Sequence, residues 1–291
     1  MSIINNANPG SGLTLLPLID RILQDAPAPV SQETLINRYR PDNLPANDNA
    51  WGKLRENLLF WCNLGLWPME QGMLQPLKEE TRPFPQRLLQ CAINACREKG
   101  IADGNDCEPL WRVLSCLLSL PQHSFGGKEP LTPTITTEKV QKWLGAGETI
   151  NSNTEKLVRE FGRFLGFLEL MPDGNYLTDP SRAIQYFLPH IFAGKKTLPV
   201  KTFMANMADV MPMMDGGEFR TTVQLIMQKD KDWVAPEGSN ICTSTSVALR
   251  RLELGRHIIL STASDDMDAM SLQLPNGVTQ RISQIALREN A

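Results

Sequence analysis

Two stretches of the chain carry basic side chains at a spacing suited to phosphate contacts. In the first, Lys156, Arg159 and Arg163 stand at positions i, i+3 and i+7, so a helix would present them as one solvent-facing stripe. Asn153 lies at the start of this stretch, where unpaired backbone amides and the helix dipole favour an anion. A recognition helix enters the DNA major groove N-terminal end first. The pattern therefore predicts nucleic-acid contacts through these four residues.

The second stretch has three arginines, Arg250, Arg251 and Arg256, with Glu253 as the acid among them. Thr245 lies in the hydroxyl-rich segment that opens this helix and can donate a hydrogen bond to a phosphate. Two glutamates dilute the first stripe, so the second set is the stronger DNA candidate. The alternative for both stretches is an ordinary solvated helix face.

Catalytic chemistry has no comparable signal in the sequence. The motifs G-x-S-x-G, H-E-x-x-H and G-x-G-x-x-G are missing, and the six cysteines include no C-x-x-C pair. An acidic run, Asp265-Asp266 with Asp268, lies in a predicted turn, where solvated acids are ordinary. We therefore expect no catalytic residue, no metal and no cofactor, and hence a non-enzymatic protein.

Both basic stretches belong to a recurring pattern of elements. An amphipathic helix is stopped by a glycine and followed by a short apolar strand, a polar turn and a second strand. The pattern begins at Lys53, Glu155 and Val247. Before the first copy, the sequence predicts two more helices, and the order helix, helix, helix, hairpin is that of a winged helix-turn-helix.

The predicted fold is mainly α with short β-hairpins, of the α+β class, built from tandem winged helix-turn-helix domains. Proline-rich or polar segments predict a first winged-helix domain over 1–80, a helical second one over 86–188 with a long loop near 123–134, and a winged-helix-like third over 198–291. Apolar periodicity predicts further helices at 13–24, 85–97, 108–120, 136–144, 200–210, 217–228 and, as a closing helix, 278–288.

Composition limits the kind of nucleic-acid binding that is plausible. The chain has 291 residues, 42% of them hydrophobic, which suits two or three domains with real cores. Its net charge of −3 argues against non-specific coating of nucleic acid, so binding must rest on local patches. No signal peptide and no membrane-spanning apolar run occur, so we expect a cytoplasmic protein without membrane contact.

A family resemblance enters at the N-terminus. The sequence NPGSGLTLLPLIDRILQDAPAPVSQETLINRYRP, followed by LRENLLFWCNLGLW, resembles the DpdG proteins over residues 8–70. These are accessory components of a bacterial system that places 7-deazaguanine derivatives in DNA and restricts DNA lacking them. The resemblance implies a non-enzymatic role in anti-phage restriction, beside helicase and ATPase components. It carries over no catalytic residue.

Three functions stay open on the sequence alone. The first is a subunit that binds double-stranded DNA within a defence or restriction complex. The second is a protein–protein scaffold of such a complex without DNA contact. The third is a transcriptional regulator, which predicts a defined operator and a homodimer with spaced half-sites.

Overall fold

A computed structural model describes residues 2–38, 48–98, 101, 107–121, 124–125, 140–143, 150–229, 233–236, 238–263 and 268–288. The contacts divide the chain into two compact units, 1–107 and 108–291. The three-domain division stays a prediction. The described residues contain helices and small sheets, in agreement with the predicted α+β class. Within the described ranges, no helix is both long and apolar enough to cross a membrane.

In the part of the first unit that the structure describes, four helices combine with one small antiparallel sheet. Its helices are α1 (Leu16–Asp25), α2 (Gln32–Arg38), α3 (Asp48–Asn63) and α4 (Phe84–Arg97), and a short 3-10 turn spans Pro9–Ser11. Its strands are β1 (Val30–Ser31), β2 (Met69–Glu70) and β3 (Met73–Leu74), arranged β1-β3-β2. The predicted first hairpin is therefore present as β2 and β3.

A buried polar cluster links α1 to the rest of this unit. The carboxylate of Asp20 accepts a hydrogen bond from the Trp67 indole at 2.9 Å and pairs with Arg87 of α4. Phe84 stacks on Trp67 and lies beneath the Arg87 guanidinium. Because the Asp20 charge is paired and hydrogen-bonded, the apolar core tolerates it.

Among its described residues, the second unit has three small sheets and the helices named next, besides a helical segment at 140–143. Its helices are α5 (Glu108–Ser119), α6 (Ser152–Leu165), α7 (Ser181–Phe192), α8 (Val200–Val210), α9 (Glu218–Met227) and α10 (Thr243–Leu254). Its strands are β4 (Ser124–Phe125), β5 (Leu168–Leu170), β6 (Tyr176–Thr178), β7 (Thr197–Pro199), β8 (Asn240–Ile241), β9 (Ile258–Ser261), β10 (Met270–Gln273), β11 (Thr279–Ile282) and β12 (Gln284–Leu287). The sheet orders are β4-β6-β5, β7-β12-β9 and β11-β10-β8.

The second helix-to-hairpin pattern folds as its sequence predicts. Asn151 caps α6 by accepting from the amides of Asn153 and Thr154 at 3.0 and 3.1 Å. Gly166 ends the helix with φ at 88°, and a Cβ at this position would press on the backbone of Ala183. Strands β5 and β6 then pair antiparallel.

The third copy of the pattern departs from the sequence prediction. Strand β9 follows α10, but it pairs with β12, whereas β10 pairs with β8 and β11. The strands on either side of the predicted third turn therefore lie in different sheets and form no hairpin. Asp265 and Asp266 of that turn lie outside the described residues, as does most of the helix predicted at 136–144.

The closing helix predicted at 278–288 is wrong. This segment forms the two strands β11 and β12, with buried Ser283 between them. Ile282 and Ile285 suggested helical spacing, but they point into the cores of two separate sheets. Pairing with β7, β9 and β10 satisfies their backbone groups, and this tertiary effect overrides the local periodicity.

Candidate nucleic-acid interface

The first predicted set of basic residues lies on the exposed side of α6. Lys156 is 67% exposed at its side chain and stands 3.8 Å from Glu160. Asn153 and Arg163 are also exposed. The Arg159 guanidinium lies 5.5 Å from the ring centre of Tyr176 in β6, which joins the helix to its hairpin. The stripe is therefore presented as predicted, with Arg159 packed at its edge.

Arg182, which no sequence pattern singled out, holds α6 against the hairpin. Arg182 of α7 pairs with Glu169 of β5 at 2.5 Å and donates to the carbonyl oxygen of Arg163 at 2.6 Å. Arg182 follows the hairpin by only a few residues, but nothing in its spacing marks it as a brace. It fixes the hairpin relative to the C-terminal end of α6.

In the second predicted set, Thr245 is fully buried. Its hydroxyl accepts a hydrogen bond from the Cys242 thiol at 3.3 Å. Ser244 and Ser246 are buried beside it, because the first turn of α10 packs inward. The Thr245 side chain is therefore not at the surface where a phosphate would bind.

Two of the three arginines in this set are engaged by carboxylates. Arg250 pairs with Glu253, which also accepts from the backbone amide of Leu260 at 3.1 Å. Arg251 pairs with Asp179, a carboxylate with no solvent exposure that directly follows β6. The two predicted sets thus belong to one unit, joined where α10 meets the end of the β5–β6 hairpin.

Arg256 is exposed, and its backbone has φ at 62°, in the left-handed region. It stands between α10 and β9. For an arginine this conformation is uncommon and is held by the turn that redirects the chain into β9. Among the described residues, no carboxylate pairs with Arg256, in contrast to Arg250 and Arg251.

In the first unit, the N-terminal segment covers one side of α3. Asn57 donates to the carbonyl oxygen of Pro9 at 2.5 Å, and Gly10 lies so close to Phe60 that a Cβ would overlap the ring. A cleft of about 670 Å³ remains between residues 6–15 and 53–57. The side of α3 that carries Asn57 and Phe60 is therefore already occupied by the chain itself.

Neither a thiol centre nor a carboxylate centre stands out. Burial raises the pKa of Cys62 to about 11 and that of both Cys91 and Cys116 to about 12, so these thiols are poor nucleophiles and ligands at neutral pH. Asp268 pairs with Lys201 at 2.6 Å. Among the residues whose placement is described, no three His, Cys, Asp or Glu side chains form a group suited to a metal.

The fold is that of an α+β protein. In it, helix α6 is capped by Asn151, carries exposed basic side chains and leads into the β5–β6 hairpin, which Arg182 holds in place. The DpdG-like family model matches residues 1–266, and the chain belongs to that family. Membership implies a role in the Dpd modification system, which comprises several subunits. No curated protein and no solved structure matched the chain.

Proposed function

We propose that this chain is a non-enzymatic, DNA-binding winged-helix subunit of a bacterial anti-phage restriction complex. It acts in the cytoplasm, beside helicase and ATPase components, on double-stranded DNA. The observation that carries the proposal is the exposed face of α6, with Asn153, Lys156 and Arg163, next to the braced hairpin of β5 and β6.

Topology supports the winged-helix part of the proposal. In the first unit the order is helix, strand, helix, helix, strand, strand, and the first strand pairs with the last, giving β1-β3-β2. In the second unit, β4, α6, β5 and β6 repeat the same sheet order as β4-β6-β5. In a winged helix the helix before the hairpin reads DNA, and here that helix is α6.

Electrostatics supports a local contact with phosphates. Lys156 and Arg163 are exposed on one helix face, and their solvated charges can displace counterions from a duplex. Because the Asn151 side chain occupies the amides of Asn153 and Thr154, the N-terminal end of α6 offers a phosphate its helix dipole rather than these two amides. Because the whole chain carries a small net negative charge, this contact forms only when DNA approaches the α6 face.

The test is duplex binding measured against salt with Lys156→Gln and Arg163→Gln combined. Neither substitution removes the Arg159–Tyr176 or the Arg251–Asp179 contact, so the fold is preserved. We expect weaker binding and a salt slope that is less steep by about two, since each lost phosphate contact reduces it by about one.

The matched control is Arg21→Gln combined with Lys78→Gln in the first unit, which removes the same charge from exposed sites. It should leave the salt slope within error of the wild type. Equal slopes for the α6 double variant and the wild type would show that α6 is not the DNA-contacting face.

A scaffold without DNA contact is the second candidate. The observation that favours it is the N-terminal segment lying on α3, which occupies a side of the helix that precedes the first hairpin. A scaffold predicts co-purification with other Dpd components and no retention of duplex DNA at 150 mM salt, an ionic strength at which non-specific binding is already weak. A transcriptional regulator would instead form a homodimer on a defined operator, which sedimentation with that duplex detects.

A further inference from the structure

Basic side chains from three distant segments meet at one end of the sheet β7-β12-β9. The backbone amide of Leu287 donates to Lys196 at 2.8 Å, and that of Arg288 donates to His257 at 3.0 Å. These bonds extend the register of β12 with β7 and with β9 by one residue at the sheet end. The cluster, called here the sheet-end cluster, contains Lys195, Lys196, Arg256, His257 and Arg288.

The register places three of these residues in one row on the outer face. Thr197 pairs with Ala286, and Ala286 pairs with Ile259, and the two outer members of this row are exposed. Two residues further along each strand, Lys195, Arg288 and His257 follow on the same face, because side chains alternate with period two. Three strands spaced by about 4.8 Å make this row about 10 Å long.

Three members of the cluster have no carboxylate partner among the described residues. Lys195, Arg256 and Arg288 are exposed, and no ion pair joins any of them to a described carboxylate. Glu289 is the acid next to the cluster in the sequence. Like charges set opposite each other on neighbouring strands destabilise a sheet. A row that places Arg288 beside Lys195 is therefore poorly explained by folding stability alone.

We infer that the sheet-end cluster is a second contact site for the phosphodiester backbone of double-stranded DNA. This inference rests on the proposed function and adds to it a surface distinct from α6. A duplex carries about one charge per 1.7 Å of its axis, so the neighbouring cations of Lys195 and Arg288, with the His257 imidazole at the end of the row as a hydrogen-bond donor, face several phosphates. The outer face also bears exposed Thr197, Ser261 and Gln284, which suit hydrogen bonds to phosphates better than insertion into a membrane.

The test compares Lys195→Gln combined with Arg288→Gln against the wild type in duplex binding over a series of salt concentrations. The control is Lys229→Gln with Arg281→Gln, which removes the same charge from other exposed positions of the second unit. For the sheet-end variant we expect binding about tenfold weaker at 0.1 M salt and a slope less steep by about two, with the control near the wild type.

Three results would overturn the inference, and they are distinguishable. If the wild type binds DNA and the sheet-end variant binds equally, the inference fails and the proposed function stands. If the control loses as much affinity for DNA as the sheet-end variant, the loss follows from net charge alone and the sheet-end cluster is not a contact site. If the wild type binds vesicles of phosphatidylcholine and phosphatidylserine at 7:3 through these residues but does not bind DNA, both the inference and the proposed function fail.

Discussion

Replacing Arg251 would remove the partner of a carboxylate that has no access to solvent. Asp179 is fully buried, and Arg251 of α10 pairs with it, although about half of the arginine side chain is exposed. An uncompensated buried charge is costly, and the exposure of Arg251 reduces the effect. We expect Arg251→Gln to lower the free energy of unfolding by about 1–3 kcal/mol, measured by urea denaturation.

Arg163→Gln is the matched control for this change, because Arg163 is an exposed helical arginine whose side chain lies at the surface. It should stay within about 0.5 kcal/mol of the wild type. If both variants unfold at the same urea concentration, the pair with Asp179 contributes nothing to stability. In that case Arg251 is available as a DNA contact after all.

The buried thiols give stability a dependence on alkaline pH. Burial raises the pKa of Cys91 to about 12, against 9.0 for a solvated thiol. Between these values the unfolded chain has released the proton and the folded chain has kept it, so the stability from this group is lost as pH rises above about 9. We expect Cys91→Ala to flatten the fall in unfolding free energy between pH 9 and 11 by up to about 1.4 kcal/mol per pH unit. An unchanged slope in Cys91→Ala would show that the thiol ionises as readily in the folded chain.

At the scale of elements, the contact of the N-terminal segment with α3 depends on a glycine. A Cβ at Gly10 would overlap the Phe60 ring, whereas a Cβ at Gly52 of α3 meets nothing within 4 Å. We expect Gly10→Ala to destabilise the first unit by about 1–3 kcal/mol. Gly52→Ala should be neutral or slightly stabilising, because alanine favours a helix. Both values come from thermal or urea unfolding.

A double variant separates the steric contact from a general loss of stability. Phe60→Leu replaces the ring that Gly10 approaches with a smaller side chain. Gly10→Ala should therefore lower the free energy of unfolding by less when both changes are combined. Strict additivity of the two changes in unfolding free energy would show that the N-terminal segment does not rest on Phe60. The scaffold function would then lose the observation that favours it.

Elements formed by local rules were predictable from sequence, and elements formed by distant pairing were not. The helix predicted at 200–210 has those bounds, and Asn151 and Gly166 mark the ends of α6 through capping. The helix predicted for segment 278–288 is wrong, since β12 pairs with β7, more than 80 residues away, and β11 pairs with β10. The spacing of apolar residues within one segment does not reflect such pairing, so it cannot predict these strands.

The candidate site shows the same limit. The stripe on α6 follows from helical spacing, and the structure places Lys156 and Arg163 at the surface. The role of Arg251 follows from a tertiary contact with a carboxylate 72 positions earlier. Thr245 is buried because the first turn of α10 packs inward, although its hydrogen-bond partner Cys242 is only three residues away. The sheet-end cluster joins segments about 90 residues apart, and sequence spacing carries no sign of it.

At the scale of the whole molecule, the last turn of α5 anchors the second unit. The carbonyl oxygen of Leu118 accepts from Arg220 of α9 and from Ser244 of α10, both at 2.8 Å. The carbonyl oxygen of Ser119 accepts from the Trp233 indole at 3.1 Å. Helix-end carbonyls need partners, and here side chains more than 100 residues away supply them. We infer that α5, α9 and α10 unfold together.

Arg220→Met tests this cooperativity. Arg220 is fully buried and pairs with Asp215 at 2.8 Å, so its loss removes the ion-pair partner of that carboxylate and one of the two donors to the Leu118 carbonyl, at a cost of about 3–5 kcal/mol. Hydrogen exchange followed by mass spectrometry should show α5, α9 and α10 losing protection to the same extent. Lys229→Met, an exposed change just beyond α9, should leave exchange unaltered. Loss of protection confined to α9 would mean that the three helices do not share one cooperative core.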